Sequence, residues 1–534
     1  MNWRRLSVMR PRAWLASRRG WRHRLYICLA GVVSALAMAP LHIWPALMIG
    51  LCLLVWSLDG ARRTARPDAS AFLRGLLFGM GYFLAGTFWI SFAFITRGPG
   101  YGALVPIALP LFAAMLAVFW GLAGILYTRL AQRSEWRVLV FAAAFTLLEG
   151  VRGHLFGGLP WNLPGYAWAA GGTVSQAASW AGTYGLSFLT LFVLASPAVV
   201  IGRRTGTRRF LPVMSAAAIG LLLICFGALR LASMPVGERA DVRLRIVQAA
   251  ITQQEKWAAD GEAITRDRYI SLTAAPGLES VTHVLWPEGA LPIFMLEDGD
   301  TLGRIAAELD EGQILIAGVN QRARDGSGYE YYNALAAMRF PGGSPRLEAL
   351  YQKVRLTPFG EMIPMTWLLE RIGFADFTRY QFSPGPAPSV LQFTGAPPVM
   401  PLICYEAIFP GFVRAMPERP EWLLNISNDA WFGATFGPQQ HFNQSRYRSI
   451  ETGLPMVRSA SRGWSGTVDA AGRPIVTIAP DTEGVFDVAL PPALGRTPYM
   501  VWGDAPVWML VVLVLAGVGI QRWGARRGRF IAHS

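Results

Sequence analysis

The sequence predicts a multi-pass α-helical membrane domain of about eight spans joined to one large α/β domain, and three observations carry that prediction. Hydrophobic residues fill 53% of the 534 positions and charged residues only 16%, a balance too apolar for a soluble protein and a length too great for one domain. Apolar runs long enough to cross about 30 Å of hydrocarbon recur up to residue 232 and return once near the C-terminus. Between 233 and 503 the runs shorten to strand length.

The long runs fall at roughly 25–39, 42–58, 72–95, 104–128, 137–151, 182–202, 210–231 and 505–520. Arginine clusters alternate with them: Arg18, Arg19, Arg22 and Arg24 before the first run, and Arg62, Arg63 and Arg66 between the second and third. The pattern continues with Arg129, Arg133 and Arg137, then Arg203, Arg204, Arg208 and Arg209, and finally Arg522, Arg526, Arg527 and Arg529. The opposite connections, Pro40–His42 and Thr96–Gly102, are poorer in charge. Because basic loops stay in the cytoplasm, both termini are expected there, with 233–503 facing outward. The expected organisation is seven transmembrane helices over 1–232, an outward domain over 233–503, and a final span with a basic tail over 504–534. A cleaved signal peptide, with Ala35-Leu36-Ala37 as its exit, is the rival reading of the N-terminus and leaves the remaining orientation unchanged.

The net charge of +15 therefore reports membrane orientation, and no nucleic-acid partner is expected. Of the four cysteines, Cys28, Cys52 and Cys225 lie inside apolar runs and Cys404 alone lies in the polar part. None is paired for a disulfide framework. The outward connection at 152–181 opens with Gly158-Leu159-Pro160-Trp161, where Trp161 is either an interfacial anchor or a substrate contact. Glu149 and Arg152, three residues apart, can pair at the end of a span.

In the outward domain, strand-like runs occur at 244–249, 283–287, 314–319, 399–405, 423–427, 456–460 and 466–469, with helix-like stretches at 301–310 and 441–451. Strands interleaved with helices indicate an α/β domain around a buried sheet. Three apolar runs end abruptly in a reactive group. His283–Trp286 leads to Pro287-Glu288, where partial desolvation would raise the carboxylate's pKa toward that of a useful base. Tyr351-Gln352 leads to Lys353, one of two lysines in a chain that otherwise uses arginine, followed by Pro358-Phe359-Gly360-Glu361. Leu402-Ile403 leads to Cys404-Tyr405-Glu406. Singly, these also fit a solvated cap, a surface lysine and a small buried hydrophobe. Together they supply the base, cation and nucleophile of covalent acyl transfer.

These motifs resemble the Glu–Lys–Cys signature of the nitrilase, or carbon–nitrogen hydrolase, superfamily. With Val247-Gln248, Lys256-Trp257, the run Asn425-Ile426-Ser427-Asn428-Asp429-Ala430-Trp431-Phe432-Gly433 and the spans, the chain resembles the apolipoprotein N-acyltransferase family within it. The resemblance covers essentially the whole chain. Three places depart from the family pattern: Ala249-Ala250-Ile251-Thr252 replaces Gly-Asn-Ile-Pro, Gly289 replaces a small hydroxyl residue, and Ser461-Arg462-Gly463 replaces an Asn-containing turn.

The resemblance implies a nitrilase-like αββα sandwich on the periplasmic face of a bacterial inner membrane. It implies Glu288, Lys353 and Cys404 as the catalytic set, with Glu361 and Glu406 in support and Trp257, Tyr405 and Trp161 at the substrate. The implied partners are a phospholipid acyl donor, a diacylated apolipoprotein acceptor and the bilayer. No metal or cofactor is required, and a monomer is expected. The apolar segment 362–382, with Trp367, Leu368, Leu369, Phe374 and Phe377, reads as a lid dipping into lipid or as core. A membrane-tethered amidase of small amides, and a non-catalytic transporter or scaffold, are the competing functions.

Overall fold

The computed structural model describes residues 20–531 apart from 97–98, 132–133, 201–206, 236, 327, 364–370, 372–380 and 417. The segment read as a lid falls mostly outside the described residues. The chain divides into two compact units: Met1–Phe94, Gly98–Ala232 and Val501–Ser534 form one, and Ile95–Arg97 with Ser233–Met500 the other.

The first unit is helical: α1 Trp21–Ser34, α2 Trp44–Ala61, α3 Pro67–Gly86, α4 Val105–Leu130, α5 Arg137–His154, α6 Ala178–Ala195, α7 Leu211–Ala232 and α11 Ala505–Ile531. Among the described residues six of these, α2 to α7, are long and apolar enough to cross a membrane, while α1 and the apolar stretch Ala505–Ile520 are shorter. The run read at 72–95 breaks after Gly86 and resumes as a short helix, Ile90–Ile95. Small residues permit close helix contact where no water drives association: a Cβ on Gly75 would lie 2.2 Å from the Trp120 carbonyl. Trp120 stacks on Phe78 and Tyr82 at 5.5 and 5.1 Å. Its indole N–H donates to Glu149, which pairs with Arg152. Arg152 in turn donates to the carbonyls of Leu159 and Trp161, so the buried ion pair pins the start of the 152–181 connection.

The second unit holds two sheets. The first, in the order β11-β1-β2-β3-β4-β5, contains β1 Arg239–Gln248, β2 His283–Trp286, β3 Ile314–Asp325, β4 Gly328–Arg339, β5 Arg346–Gln352 and β11 Gly484–Leu490. The second, in the order β10-β9-β8-β7-β6, contains β6 Val399–Ile403, β7 Trp422–Ser427, β8 Met456–Ala460, β9 Ser465–Val468 and β10 Pro474–Ile478.

Alternation along the strands builds the layers. Leu244 and Ile246, Leu285, Ile314 and Ile316, and Leu335 and Ala337 point inward to meet Val399, Trp422, Leu424, Ile426 and Val457 of the second sheet. Val247, Val284, Trp286, Leu315 and Ala336 point the other way and are covered by α8 Gly261–Thr273 and α9 Gly299–Glu308. On the outer face of the second sheet, α10 Gly437–Thr452 packs through Ser445 and His441 against Arg458. The result is the expected αββα sandwich.

Two sequence readings need correction here. The strand read as 399–405 stops at Ile403, because Cys404 turns into a left-handed conformation. Strands β4, β5, β10 and β11 were not expected. β4 is rich in alanine, a weak strand former, and β5, β10 and β11 are edge or near-edge strands whose faces mix polar and apolar residues.

Candidate active site

The site gathers where strands end. Glu288 follows β2 by two residues, Lys353 follows β5 by one, and Cys404 follows β6 by one. Strand ends suit chemistry because the hydrogen-bonded ladder fixes each Cα while the side chain projects beyond it.

Lys353 is 1% exposed. Its Nζ lies 3.0 Å from Glu288 Oε1 and 2.9 Å from Glu361 Oε2. Asn333, on β4, donates from Nδ2 to Glu288 Oε1 at 2.7 Å and to Glu361 Oε1 at 2.6 Å. The second Glu288 oxygen accepts the Asn428 N–H at 2.8 Å. The sequence reading of a raised Glu288 carboxyl needs correction: burial alone would raise it, but the Lys353 ammonium and the hydrogen bonds from Lys353, Asn333 and Asn428 outweigh burial and hold it below its ordinary value. For Lys353, burial would lower the ammonium, yet Glu288, Glu361 and Cys404 keep it well above the usual lysine range. The resting cluster is therefore an ionised carboxylate, free of its proton, beside a permanent cation.

Cys404 has φ 48, a left-handed conformation costing about 1–3 kcal/mol for a non-glycine residue. Such a turn re-aims the side chain sharply at the end of a strand, as nucleophile elbows do. Burial pushes the thiol well up, reinforced by the charges of Glu288 and Asp429 and opposed by Lys353 and a hydrogen bond with Ser427. The resting group is a thiol, so a nearby base is needed for attack.

Two family models match this chain: apolipoprotein N-acyltransferase N-terminal domain over residues 30–196, and carbon-nitrogen hydrolase over 243–499. The chain is 41% identical to the apolipoprotein N-acyltransferase of Caulobacter vibrioides, over 95% of this chain and 96% of that one. It is 38% identical to the protein of that name from Rhodopseudomonas palustris, over 94% and 96%, and 38% identical to that from Bradyrhizobium diazoefficiens, over 95% and 96%. The chain belongs to the apolipoprotein N-acyltransferase family.

Within this family member, the other sequence candidates occupy distinct places. Glu361 contacts Lys353 and Asn333 and accepts the Thr357 N–H at 2.8 Å. Glu406 is buried, and its oxygens are taken by the Ile403, Val354 and Arg355 N–H groups and the Tyr351 hydroxyl. It is a tie between these segments. Tyr405 is buried against Phe409. Trp257 is 66% exposed, with its indole N–H on Gln253. Trp161 belongs to the helical unit, where it is buried against Trp89.

Sequence reasoning missed the roles of several contributors. Lys256, the chain's other lysine, donates to the Gly289 carbonyl beside Glu288, and burial lowers its ammonium to about 8 against the pull of Glu288. Gly318 passes so close behind the base that a Cβ there would lie 2.4 Å from Glu288 Cα. Asn333 could be inferred only from pairing, since Lys353 N–H bonds its carbonyl at 2.8 Å. At the departures from the family pattern, Thr252 forms a capping box with Glu255, and Ser461 donates to Asn428 at 2.8 Å.

Cys404, Asp429 and His441 bring three potential metal ligands within 4.8 Å of one another. Asp429, however, already spends one oxygen on Arg458 at 2.7 Å and the other on Ser427 at 2.6 Å and His441 at 3.0 Å. A cation there would face the Arg458 guanidinium, so the group is an ion-pair network with a poor fit to a metal.

Proposed function

We propose that this chain transfers an acyl chain from a phospholipid, through a thioester on Cys404, to the N-terminal amine of diacylglyceryl-cysteine on an apolipoprotein, the last step of lipoprotein maturation. The observation that carries this reading is the buried Glu288–Lys353–Glu361 cluster coupled to a thiol at a left-handed strand end. It supports covalent acyl transfer, and family membership supports the substrates.

In the first step Glu288 takes the thiol proton as sulfur attacks an ester carbonyl of the phospholipid. Lys353 faces the oxyanion that develops, a stabilisation of several kcal/mol in a site shielded from water. Collapse of the tetrahedral species breaks the ester C–O bond. The departing alkoxide takes the proton from Glu288 and leaves as lysophospholipid. In the second step the acceptor's neutral amine attacks the thioester and Glu288 takes its proton. The C–S bond breaks, and the proton passes to sulfur, restoring the thiol and leaving an amide.

The family and the apolar helices support a bacterial inner-membrane protein that meets both lipids at the interface. The alternating arginine clusters support a periplasmic second unit and cytoplasmic termini. The enzyme acts as a monomer, since a single chain supplies every group the two steps use.

Protein reconstituted with labelled phosphatidylethanolamine and a diacylated lipopeptide should yield triacylated peptide and lysophospholipid. Release of free fatty acid, or of ammonia from small amides, with no acylated peptide would identify a hydrolase instead.

A further inference from the structure

A second charged network reaches Cys404 and takes no part in the proton transfers above. Asp429 follows β7, His441 lies in the first turns of α10, and Arg458 sits on β8; all three side chains are at least 99% buried. Asp429 accepts Arg458 Nη2 at 2.7 Å through one oxygen and faces His441 Nδ1 at 3.0 Å through the other. Arg458 is held by the Trp464 carbonyl at 2.9 Å and by Asn425, and its Nη2 lies 3.2 Å from His441 Nδ1. A Cβ at Gly463 would fall 2.0 Å from Asp429 Oδ2, so only glycine leaves the carboxylate where it is.

The far nitrogen of the imidazole, Nε2, lies 3.1 Å from the Cys404 carbonyl oxygen. Two protonation states fit these neighbours. An imidazolium donates from Nδ1 to Asp429 and from Nε2 to Cys404. A neutral ring accepts Arg458 at Nδ1 and again carries its proton on Nε2. Both put an N–H against the main-chain carbonyl of the residue that bends into the left-handed region. The ladder of β6 ends at Ile403, so the bend is held by bonds outside the sheet, among them this one and the Ile403 N–H to Glu406 at 2.8 Å.

We propose that His441, oriented by Asp429 and Arg458, is a positioning residue that clamps the Cys404 carbonyl and so holds the thiol in its reactive orientation. This rests on the reading of Cys404 as the acyl carrier. A misplacement of a reacting group by about 1 Å costs on the order of 100-fold in rate, and that is the scale at which the clamp acts.

The test is single-turnover acylation of the full-length protein in phosphatidylethanolamine vesicles, followed by intact mass against lipid concentration. His441→Phe keeps a ring but has no donor. It should lower the maximal acylation rate by roughly 30–100-fold while the half-saturating lipid concentration moves by less than about twofold. His441→Gln, whose amide can reach the same carbonyl, should recover to within about fivefold of the wild type. If the Phe variant does not fold, His441→Met serves as the donor-less variant. A wild-type rate in the donor-less variant, or equal losses in it and in His441→Gln, overturns the clamp. Loss of acylation in Cys404→Ala with a normal His441 variant overturns the clamp alone. Retained transfer in Cys404→Ala overturns the thioester reading beneath it.

Discussion

The Glu406 carboxylate accepts the Tyr351 hydroxyl at 2.9 Å, and that bond is one strand of a knot joining the segments that carry the cation and the nucleophile. The same oxygen accepts the Val354 N–H at 2.7 Å and the Arg355 N–H at 3.2 Å, on the far side of Lys353. The other accepts the Ile403 N–H at 2.8 Å, one residue before Cys404. Lys353 and Cys404 are thus held in mutual register by a residue that touches neither reacting atom.

Glu406→Gln turns one acceptor into a donor facing donors, and should cost about 1–3 kcal/mol of stability. Burial raises the Glu406 carboxyl to about 7, against the N–H groups and Lys353, from an ordinary 4.5. Between those values the folded state binds the proton more tightly than the unfolded state. The contribution is complete below the ordinary value and lost as pH rises through about 7. The stability gap between wild type and Glu406→Gln should therefore narrow as pH is raised across this window in thermal unfolding. A gap that widens contradicts the assignment.

Lys353→Met leaves Glu288 and Glu361 facing each other without their cation. Removing one partner of a buried ion pair costs about 3–5 kcal/mol, and loss of oxyanion stabilisation should reduce acyl transfer by at least about 100-fold. Denaturation curves and transfer rates measured on the same preparation check both. A stable, active variant would remove the lysine from the account.

Gly318→Ala places a methyl against the backbone of the base, 2.5 Å from the Pro287 carbonyl oxygen. Backbone cannot rotate away as a side chain can, so the cost should be about 1–3 kcal/mol with a loss of activity. Activity within twofold of wild type would show that Glu288 has slack that these distances deny.

Ala250 holds φ 50, where the family pattern has asparagine. Asparagine tolerates the left-handed region and alanine does not. Ala250→Asn should therefore raise stability by about 0.5–1 kcal/mol with transfer unchanged. A lower melting temperature would mean that this turn is selected for something other than backbone ease.

The legible part of this molecule was whatever leaves a one-dimensional trace. Long apolar runs with arginine flanks marked the helices, and strands ending at Glu288 and Cys404 marked two corners of the site. Lys353 stood out because the chain otherwise uses arginine, although β5, the strand that delivers it, did not. Asn333, Gly318 and the Asp429–His441–Arg458 network were silent, because each matters through a partner distant in sequence. Glu406 was legible as a member of the motif but not as a tie, since three of its four donors, the Val354, Arg355 and Ile403 N–H groups, are main-chain groups that any residue could supply.

The central claim is that Cys404 carries the acyl group. Intact-mass analysis of the purified protein after incubation with phospholipid, without acceptor, tests it most directly. A mass increase of one acyl chain is expected, removable by hydroxylamine and missing from Cys404→Ala. A folded wild-type protein that gains no acyl mass, or gains the same adduct after Cys404→Ala, would contradict the account.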